Sequence, residues 1–233
     1  PLKCVYCQNS SISDGCFGKE ISEKRLIEIF KELEAQGANN INLVSPTHYA
    51  EQLSDTLSKY KPSIPVVYNT GGYDSVDTLK KLEGLVDVFL TDIKYVSPTV
   101  SKKYSRAENY FEVASKAVLE MRRQQPEDIF EDGILKKGLI IRHLVLPGNI
   151  SQGIKALEWI NGNLSSNTII SLMGQYMPCA RASEYPTINR KINHREYETV
   201  LSKAEMLGFE NVYIQELDSS SEEFIPDFDL QGV

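Results

Sequence analysis

Residues 86–94 read VDVFLTDIK, a run of β-branched and aromatic residues that ends in charged side chains. Similar apolar segments recur along the chain, and amphipathic helical segments separate them. Buried parallel strands have such nearly continuous apolar runs, whereas half-exposed antiparallel strands alternate apolar with polar residues. The pattern predicts parallel βα units, with strands at 41–45, 65–69, 86–94, 139–146, 168–173 and 211–215.

Two of the intervening helices can be delimited by their capping residues. Residues 22–36 place four apolar side chains on one helical face (Leu26, Ile27, Phe30 and Leu33), and Gly37 is suited to a left-handed C-terminal cap. Asn193 and Glu196 have the spacing of a capping box, and Gly208 ends the helix that follows. Both helices are expected to cover a sheet.

Six parallel strands joined by right-handed crossovers form either a doubly wound open sheet or a partial barrel, and periodicity does not distinguish the two. In both, functional residues gather at the carboxyl ends of the strands. We expect one domain over residues 1–233, with 216–233 as a C-terminal tail. Residues 124–138 are interpreted as an exposed connection between a helix and a strand.

The composition is that of a globular protein, with 41% apolar and 24% charged residues. A net charge of −7 argues against nucleic-acid binding. The sequence has no apolar run long enough to cross a bilayer and no signal-peptide pattern, so we expect a cytoplasmic protein without membrane contact. Four cysteines are too few for a disulfide scaffold of this size.

Cys4-Val5-Tyr6-Cys7 is the strongest local signal for chemistry. A CxxC turn brings two thiols within reach of one metal ion, and it serves zinc, iron–sulfur clusters or dithiol redox chemistry. A pair of packed, functionless thiols is the alternative, although the neighbours Gln8 and Asn9 indicate a polar loop. Cys16 is interpreted as a free thiol and Cys179 as a structural residue.

Residues 1–9, PLKCVYCQN, resemble the end of the CxxxCxΦC motif of radical S-adenosylmethionine (SAM) enzymes, in which Φ is aromatic. The Gln-Asn that follows is similar to the glycyl-radical-enzyme (pyruvate formate-lyase) activating enzymes. The resemblance implies an α/β fold, a partial (β/α)6 TIM-like barrel truncated at its N-terminus. The first cluster cysteine would fall one residue before Pro1.

The resemblance implies a [4Fe–4S] cluster with Cys4 and Cys7 as catalytic metal ligands, and SAM bound at the open iron. Ser45-Pro46-Thr47-His48 stands where the family carries a Gly-Gly-Glu-like element, so a strong acceptor for the SAM ammonium group is absent. Residues 69–73, NTGGY, are similar to the Asp-Thr-Asn-Gly segment of the activating enzymes, although a plain turn is an alternative.

Charged residues interrupt two of the predicted strands. Asp92 and Lys94 share one face of their strand and match the family's Asp-x-Lys, in which the carboxylate helps a bound cation and the lysine serves the SAM carboxylate. Arg142 matches an arginine of the same enzymes and is expected to face the pocket, with His143 on the opposite face. The expected cofactor-binding residues are Tyr6, Thr47, Asn69, Thr70, Asp92, Lys94, Arg142 and Gln175.

The resemblance therefore implies reductive cleavage of SAM to a 5′-deoxyadenosyl radical. In an activating enzyme this radical installs a glycyl radical on a partner enzyme, and a flavodoxin or ferredoxin supplies the electron. Two alternatives stay open: a radical SAM reaction on another substrate, and a non-catalytic α/β domain that binds a metal or a partner.

Overall fold

The computed structural model describes residues 2–13, 15, 17–215, 217 and 230, so most of the expected tail at 216–233 and Cys16 lie outside the described residues. The strands are β1 Ile41–Val44, β2 Val66–Thr70, β3 Val88–Asp92, β4 Ile129–Glu131, β5 Ile134–Leu144, β6 Ile169–Met173 and β7 Val212–Ile214. The helices are α1 Ser10–Ser13, α2 Glu23–Ala35, α3 Ala50–Lys59, α4 Val76–Lys81, α5 Pro98–Ser105, α6 Tyr110–Gln124, α7 Ile150–Asn163 and α8 His194–Met206. Short 3-10 helices lie at Pro46–Tyr49, Ala182–Glu184 and Pro186–Ile188.

The order of the strands resolves the choice between the two architectures. Strands β1, β2, β3, β5, β6 and β7 are neighbours in chain order, and every one of these pairs is parallel. A doubly wound sheet reverses its strand order at a switch point, whereas a barrel adds each strand beside the previous one. The fold is therefore an α/β fold of the partial TIM-barrel type, and the six predicted strands are confirmed.

The segment at 124–138 was not fully predicted. It contains β4 and the start of β5, which pair in antiparallel fashion. Asp132 and Gly133 between them have φ angles of 50° and 78°, as a two-residue hairpin turn requires. The Asp-Gly dipeptide was a readable signal for this hairpin, but three-residue strands carry too little periodicity to be recognised.

The two faces of the parallel sheet differ in burial. Alternate strand residues, including Phe89, Ile141 and Leu172, are buried in the main core with residues of α6, α7 and α8. The intervening residues, such as Leu90, Ile140 and Met173, are only partly buried. The helices thus cover one face, and the other is the partly open concave side of the barrel.

Both predicted helices have the predicted caps, and Ser22 adds an N-terminal cap that was not predicted. The Ser22 side chain accepts a hydrogen bond from the Arg25 amide, and Gly37 has a φ of 78°. Asn193 and Glu196 form the complete capping box of α8. Within the described part of the chain, no helix combines the length and apolar character that a membrane span needs.

Gly72 fixes the position of the turn after β2. Its φ is 81°, and a Cβ atom added there would lie 2.2 Å from the carbonyl oxygen of Asp92 and 3.1 Å from the Tyr110 hydroxyl. The paired glycines therefore allow the backbone to approach the end of β3. Any larger residue would separate two segments that carry predicted site residues.

We predict that Gly72→Ala lowers the free energy of unfolding by more than about 2 kcal/mol, because it combines a left-handed backbone with a backbone clash. Gly84→Ala is the matched control, since Gly84 has a φ of 77° and no atom within 4 Å of the added Cβ. The control should cost about 1 kcal/mol. Urea titration measures both, and equal losses would contradict the close approach.

Candidate functional site

The loop that carries Cys4 and Cys7 is a tight turn held by backbone hydrogen bonds. The Cys7 amide donates to the Cys4 carbonyl at 3.2 Å. The amides of Lys3 and Val5 donate to the carbonyls of Ser105 and Tyr104, at 3.4 and 2.9 Å. Carbonyl groups at the end of α5 have no partner within the helix, so the loop satisfies them and is fixed in return.

A second segment, which follows β6, packs against the same loop. The Arg181 amide donates to the Val5 carbonyl at 2.8 Å, and the Cys179 thiol donates to the Tyr6 carbonyl at 3.2 Å. This contact agrees with the structural role expected for Cys179.

Charged side chains from two strands and an amide from a third meet at the carboxyl end of the sheet. The Arg142 Nε donates to Asp92 Oδ1 at 2.8 Å, and an Arg142 Nη donates to the Asn69 side-chain oxygen at 2.9 Å. Lys94 forms a second ion pair with the other oxygen of Asp92. Asp92 and Arg142 are register partners across β3 and β5. We call Asn69, Asp92, Lys94 and Arg142 the strand-end network.

The network is charged despite its burial. Burial opposes the charge on Asp92, but the attraction of Lys94 and Arg142 outweighs it and lowers the pKa of the carboxyl below its ordinary value. Burial likewise disfavours the charged form of Lys94, but Asp92 and the Cys4 thiol raise the pKa of the amine. Two cations and one carboxylate leave a net positive charge. Both Asp92 oxygens are already paired, which does not favour the cation site implied by the resemblance.

The cysteine loop and the strand-end network lie next to each other. A Cβ atom on Gly71 would lie 3.3 Å from Leu2 Cδ1 and 3.4 Å from Lys94 Cε, so the loop and the lysine meet above this glycine. Burial raises the pKa of the Cys4 thiol, while the charge of Lys94 acts against this increase. Lys94 therefore lies where its charge stabilises a Cys4 thiolate.

Tyr110 connects the strand ends beneath the site, a role that no local sequence pattern predicted. Its hydroxyl lies 2.9 Å from the carbonyl oxygens of both Gly71 and Asp92, and it accepts a hydrogen bond from the Lys94 amide at 3.0 Å. The Tyr110 side chain is fully buried. It therefore fixes the backbone of both strand-end segments.

Asp74 was also missed by sequence reasoning. Its buried carboxylate accepts hydrogen bonds from the hydroxyls of Thr47 at 2.7 Å and Tyr68 at 3.0 Å, and from that of Thr70. The Gly72 amide donates to Thr70, which is buried, whereas Thr47 is partly exposed. Because the Thr47 proton points to Asp74, the lone pairs of Thr47 can accept a hydrogen bond from a ligand.

The remaining predicted residues are distributed around the site. Tyr6 is buried under the loop, where its ring packs edge-on against Tyr176 with centroids 5.8 Å apart. Gln175, before Tyr176, is partly buried. His143 is buried on the helix-covered face with its Nδ1 2.7 Å from the Ile93 carbonyl, and burial lowers its pKa. This is the structural histidine that strand alternation predicted.

Two protein thiols stand at the candidate metal position. Within residues 2–13, 15, 17–215, 217 and 230, no three His, Cys, Asp or Glu side chains are grouped as metal ligands. Cys4 and Cys7 lie on one turn, and Cys4 is next to the cation of Lys94, which suits two thiolate ligands of an iron–sulfur cluster. The described residues thus fit part of a cluster site, and another thiolate would complete it.

Comparison with known families decides the assignment. A family model described as the radical SAM superfamily matches residues 1–148. The chain belongs to the radical SAM superfamily. The match covers the cysteine loop and every residue of the strand-end network, so the resemblance noted in the N-terminal sequence is confirmed.

A curated relative of this radical SAM protein is named "Uncharacterized protein MJ0674" and comes from Methanocaldococcus jannaschii. The two are 33% identical over 222 residues, which is 91% of this chain and 61% of the relative. The chain thus spans less than two thirds of the relative's length.

Solved structures show the same fold at low sequence identity. A domain of pyruvate-formate lyase-activating enzyme from Bacteroides vulgatus has a TM-score of 0.56 and 14% identity, and the match covers 76% of this chain and 98% of that domain. Streptococcus suis SuiB bound to the precursor peptide SuiA has a TM-score of 0.62 and 13% identity, with 94% and 47% covered. SuiB bound to S-adenosylmethionine has a TM-score of 0.59 and 13% identity, with 95% and 47% covered.

We predict that Asp92→Asn lowers the free energy of unfolding by about 3 kcal/mol at pH 7, because two partly buried cations lose the buried carboxylate that pairs with them. The pKa of Asp92 is lower in the folded protein, so its contribution is complete above the unfolded pKa of about 4 and is lost as the pH falls through the folded pKa. The unfolding free energies of the two proteins, measured by urea titration, should therefore begin to converge below about pH 4 and become equal below the folded pKa of Asp92.

Glu108→Gln is the control, because the Lys102–Glu108 pair is exposed on both sides. It should change stability by less than about 1 kcal/mol. An Asp92→Asn loss that does not vary between pH 7 and about pH 3 would contradict the ionised network.

Proposed function

We propose that this chain is the core of a radical SAM enzyme that binds a [4Fe–4S] cluster through Cys4 and Cys7 and cleaves SAM reductively. The observation that carries the proposal is the position of Cys4 beside Lys94 and the strand-end network. A cluster at these thiols would lie at the carboxyl ends of the strands, where barrel enzymes place their substrates.

The charges around this position suit the methionyl part of SAM. Lys94 and Arg142 leave a net positive charge that attracts its carboxylate. Thr47 can accept a hydrogen bond from the amino group, and the negative charge of Asp74 behind it strengthens that interaction. Asp74 thereby supplies through Thr47 the negative charge that the Gly-Gly-Glu-like element lacks here.

Asn69 and Gln175 extend the site along the strand ends, where we expect the remainder of SAM, and the buried Thr70 supports it through its hydrogen bond to Asp74. Tyr6 shapes the site from beneath, because its ring lies under the cysteine loop. When bound and reduced, the cluster supplies the electron that divides SAM into methionine and a 5′-deoxyadenosyl radical. The contribution of the chain is to orient SAM and to exclude water from the radical.

The target we favour is a glycine Cα–H group on a partner enzyme, with a flavodoxin or ferredoxin as the electron donor. The fold shared with a pyruvate-formate lyase-activating enzyme domain and with SuiB bound to a precursor peptide supports a polypeptide substrate. The concave face is only partly buried, so we expect a loop of the partner to approach the strand ends from that side. A radical SAM reaction on a small molecule is the rival, and the experiments below separate the two.

The first experiment tests the cluster. We predict that the full-length protein, reconstituted anaerobically, binds about four iron and four sulfide per chain, as a [4Fe–4S] cluster requires. Cys4→Ser and Cys7→Ser should each lose most of the iron. Cys179→Ser should retain it, because a serine hydroxyl can also donate to the Tyr6 carbonyl.

Cys16→Ser is the second control, since Cys16 is expected to be a free thiol. Loss of iron in either control, or its retention in Cys4→Ser, would support a different metal site. A wild-type protein without iron would support the non-catalytic alternative.

The second experiment tests SAM binding and cleavage. We predict that Lys94→Met weakens SAM binding by about tenfold or more, as expected for the loss of a charge-assisted hydrogen bond. Lys80→Met, which removes an exposed lysine, should bind SAM like the wild type.

With dithionite, the wild type should release 5′-deoxyadenosine, and electron paramagnetic resonance should detect a glycyl radical on an added partner enzyme. 5′-Deoxyadenosine without a glycyl radical on any candidate partner would favour another substrate.

A further inference from the structure

A chain of hydroxyl groups runs beneath the cysteine loop and ends at Cys4. The Ser105 Oγ lies 3.0 Å from the Cys4 Sγ and 2.9 Å from the Tyr95 hydroxyl. The Tyr95 hydroxyl is in turn hydrogen-bonded to the Tyr6 hydroxyl. Three residues from three different segments thus form one continuous string, which we call the hydroxyl chain.

The hydroxyl chain is shielded from water. Ser105 is 1% exposed, Tyr95 is 0% exposed and Tyr6 is 7% exposed. A buried hydroxyl that has no partner costs free energy, so each of these groups depends on its neighbour in the chain.

The direction of the hydrogen bonds follows from the chemistry of a metal-bound cysteine. A thiolate can only accept, so Ser105 must donate its single proton to Cys4. The Ser105 oxygen then accepts from Tyr95, and the Tyr95 oxygen accepts from Tyr6. Successive donors polarise one another, so the two phenols strengthen the bond that Ser105 makes to sulfur.

The backbone holds this donor in place. Lys3 and Val5, on either side of Cys4, donate to the carbonyls of Ser105 and Tyr104. These bonds do not involve the Ser105 side chain, so the cysteine and the serine stay adjacent when the hydroxyl is removed.

We propose that Ser105 donates a hydrogen bond to the Cys4 thiolate that raises the reduction potential of the bound cluster, with Tyr95 and Tyr6 as positioning residues. This inference rests on the proposed function. Hydrogen bonds to ligand sulfurs stabilise the reduced cluster, because it carries an additional negative charge. The hydrogen bond from Ser105 is made to a ligand sulfur and leaves the open iron free for SAM. The hydroxyl chain thus sets how readily the cluster accepts the electron for SAM cleavage.

The test is a redox titration of the reconstituted full-length protein, with the cluster followed by electron paramagnetic resonance. Ser105→Ala should shift the midpoint potential to a more negative value, and Ser105→Thr should restore it in part. Tyr95→Phe should give a smaller shift in the same direction, and Tyr6→Phe the smallest. Tyr95→Phe leaves the Ser105 hydroxyl in place. It therefore tests the proposal even if Ser105→Ala fails to bind the cluster.

Ser101→Ala is the matched control. Ser101 is also buried in α5, but its hydroxyl donates to the Pro98 carbonyl at 3.0 Å and not to a thiol. The control should leave the potential unchanged. A Ser105→Ala or Tyr95→Phe protein with a normal iron content and an unshifted potential would overturn the inference alone. A wild-type protein that binds no cluster would overturn the proposed function as well.

Discussion

The carboxylate of Asp92, held between Lys94 and Arg142, is the interaction on which the arrangement of the site depends. It joins β3 to β5, and Arg142 extends the connection to Asn69 on β2. Charged groups in such a position are tolerated only when they are paired, so each member fixes the others. The strand-end network has a net positive charge, and Lys94 places part of it beside the Cys4 thiol. The network therefore connects the strands of the barrel to the proposed cluster ligand.

The partial barrel explains why these groups face an accessible space. The helices cover one side of the sheet, while the concave side stays partly open and collects polar side chains at the strand ends. Asp74 and Thr47 provide a negative side to this region, and Lys94 and Arg142 provide a positive one. This distribution of charge suits a zwitterionic amino acid such as the methionyl group of SAM.

The strands and the charged residues of the site could be predicted from the sequence, because each is marked by a local pattern of apolar and charged residues. The apolar runs defined the six parallel strands, and charges within those runs identified Asp92, Lys94 and Arg142. The order of the strands could be established only from the structure, since a doubly wound sheet and a partial barrel have the same sequence periodicity. The roles of Tyr110 and Ser105 arise from contacts between separate segments, as does the contact of Asp74 with Thr47, and a buried tyrosine or serine has no local pattern that distinguishes such a role. The hairpin at β4 and β5 had an Asp-Gly signal, but its first strand is too short for periodicity to support it.

The central claim is that the cysteine loop and the strand-end network form one SAM site. It is tested most directly by an anaerobic crystal structure of the reconstituted full-length protein with SAM, phased on the anomalous signal of iron. We expect iron bound to Cys4 and Cys7, with the SAM carboxylate against Lys94 or Arg142. Iron bound elsewhere, or SAM bound away from these strand ends, would contradict the account.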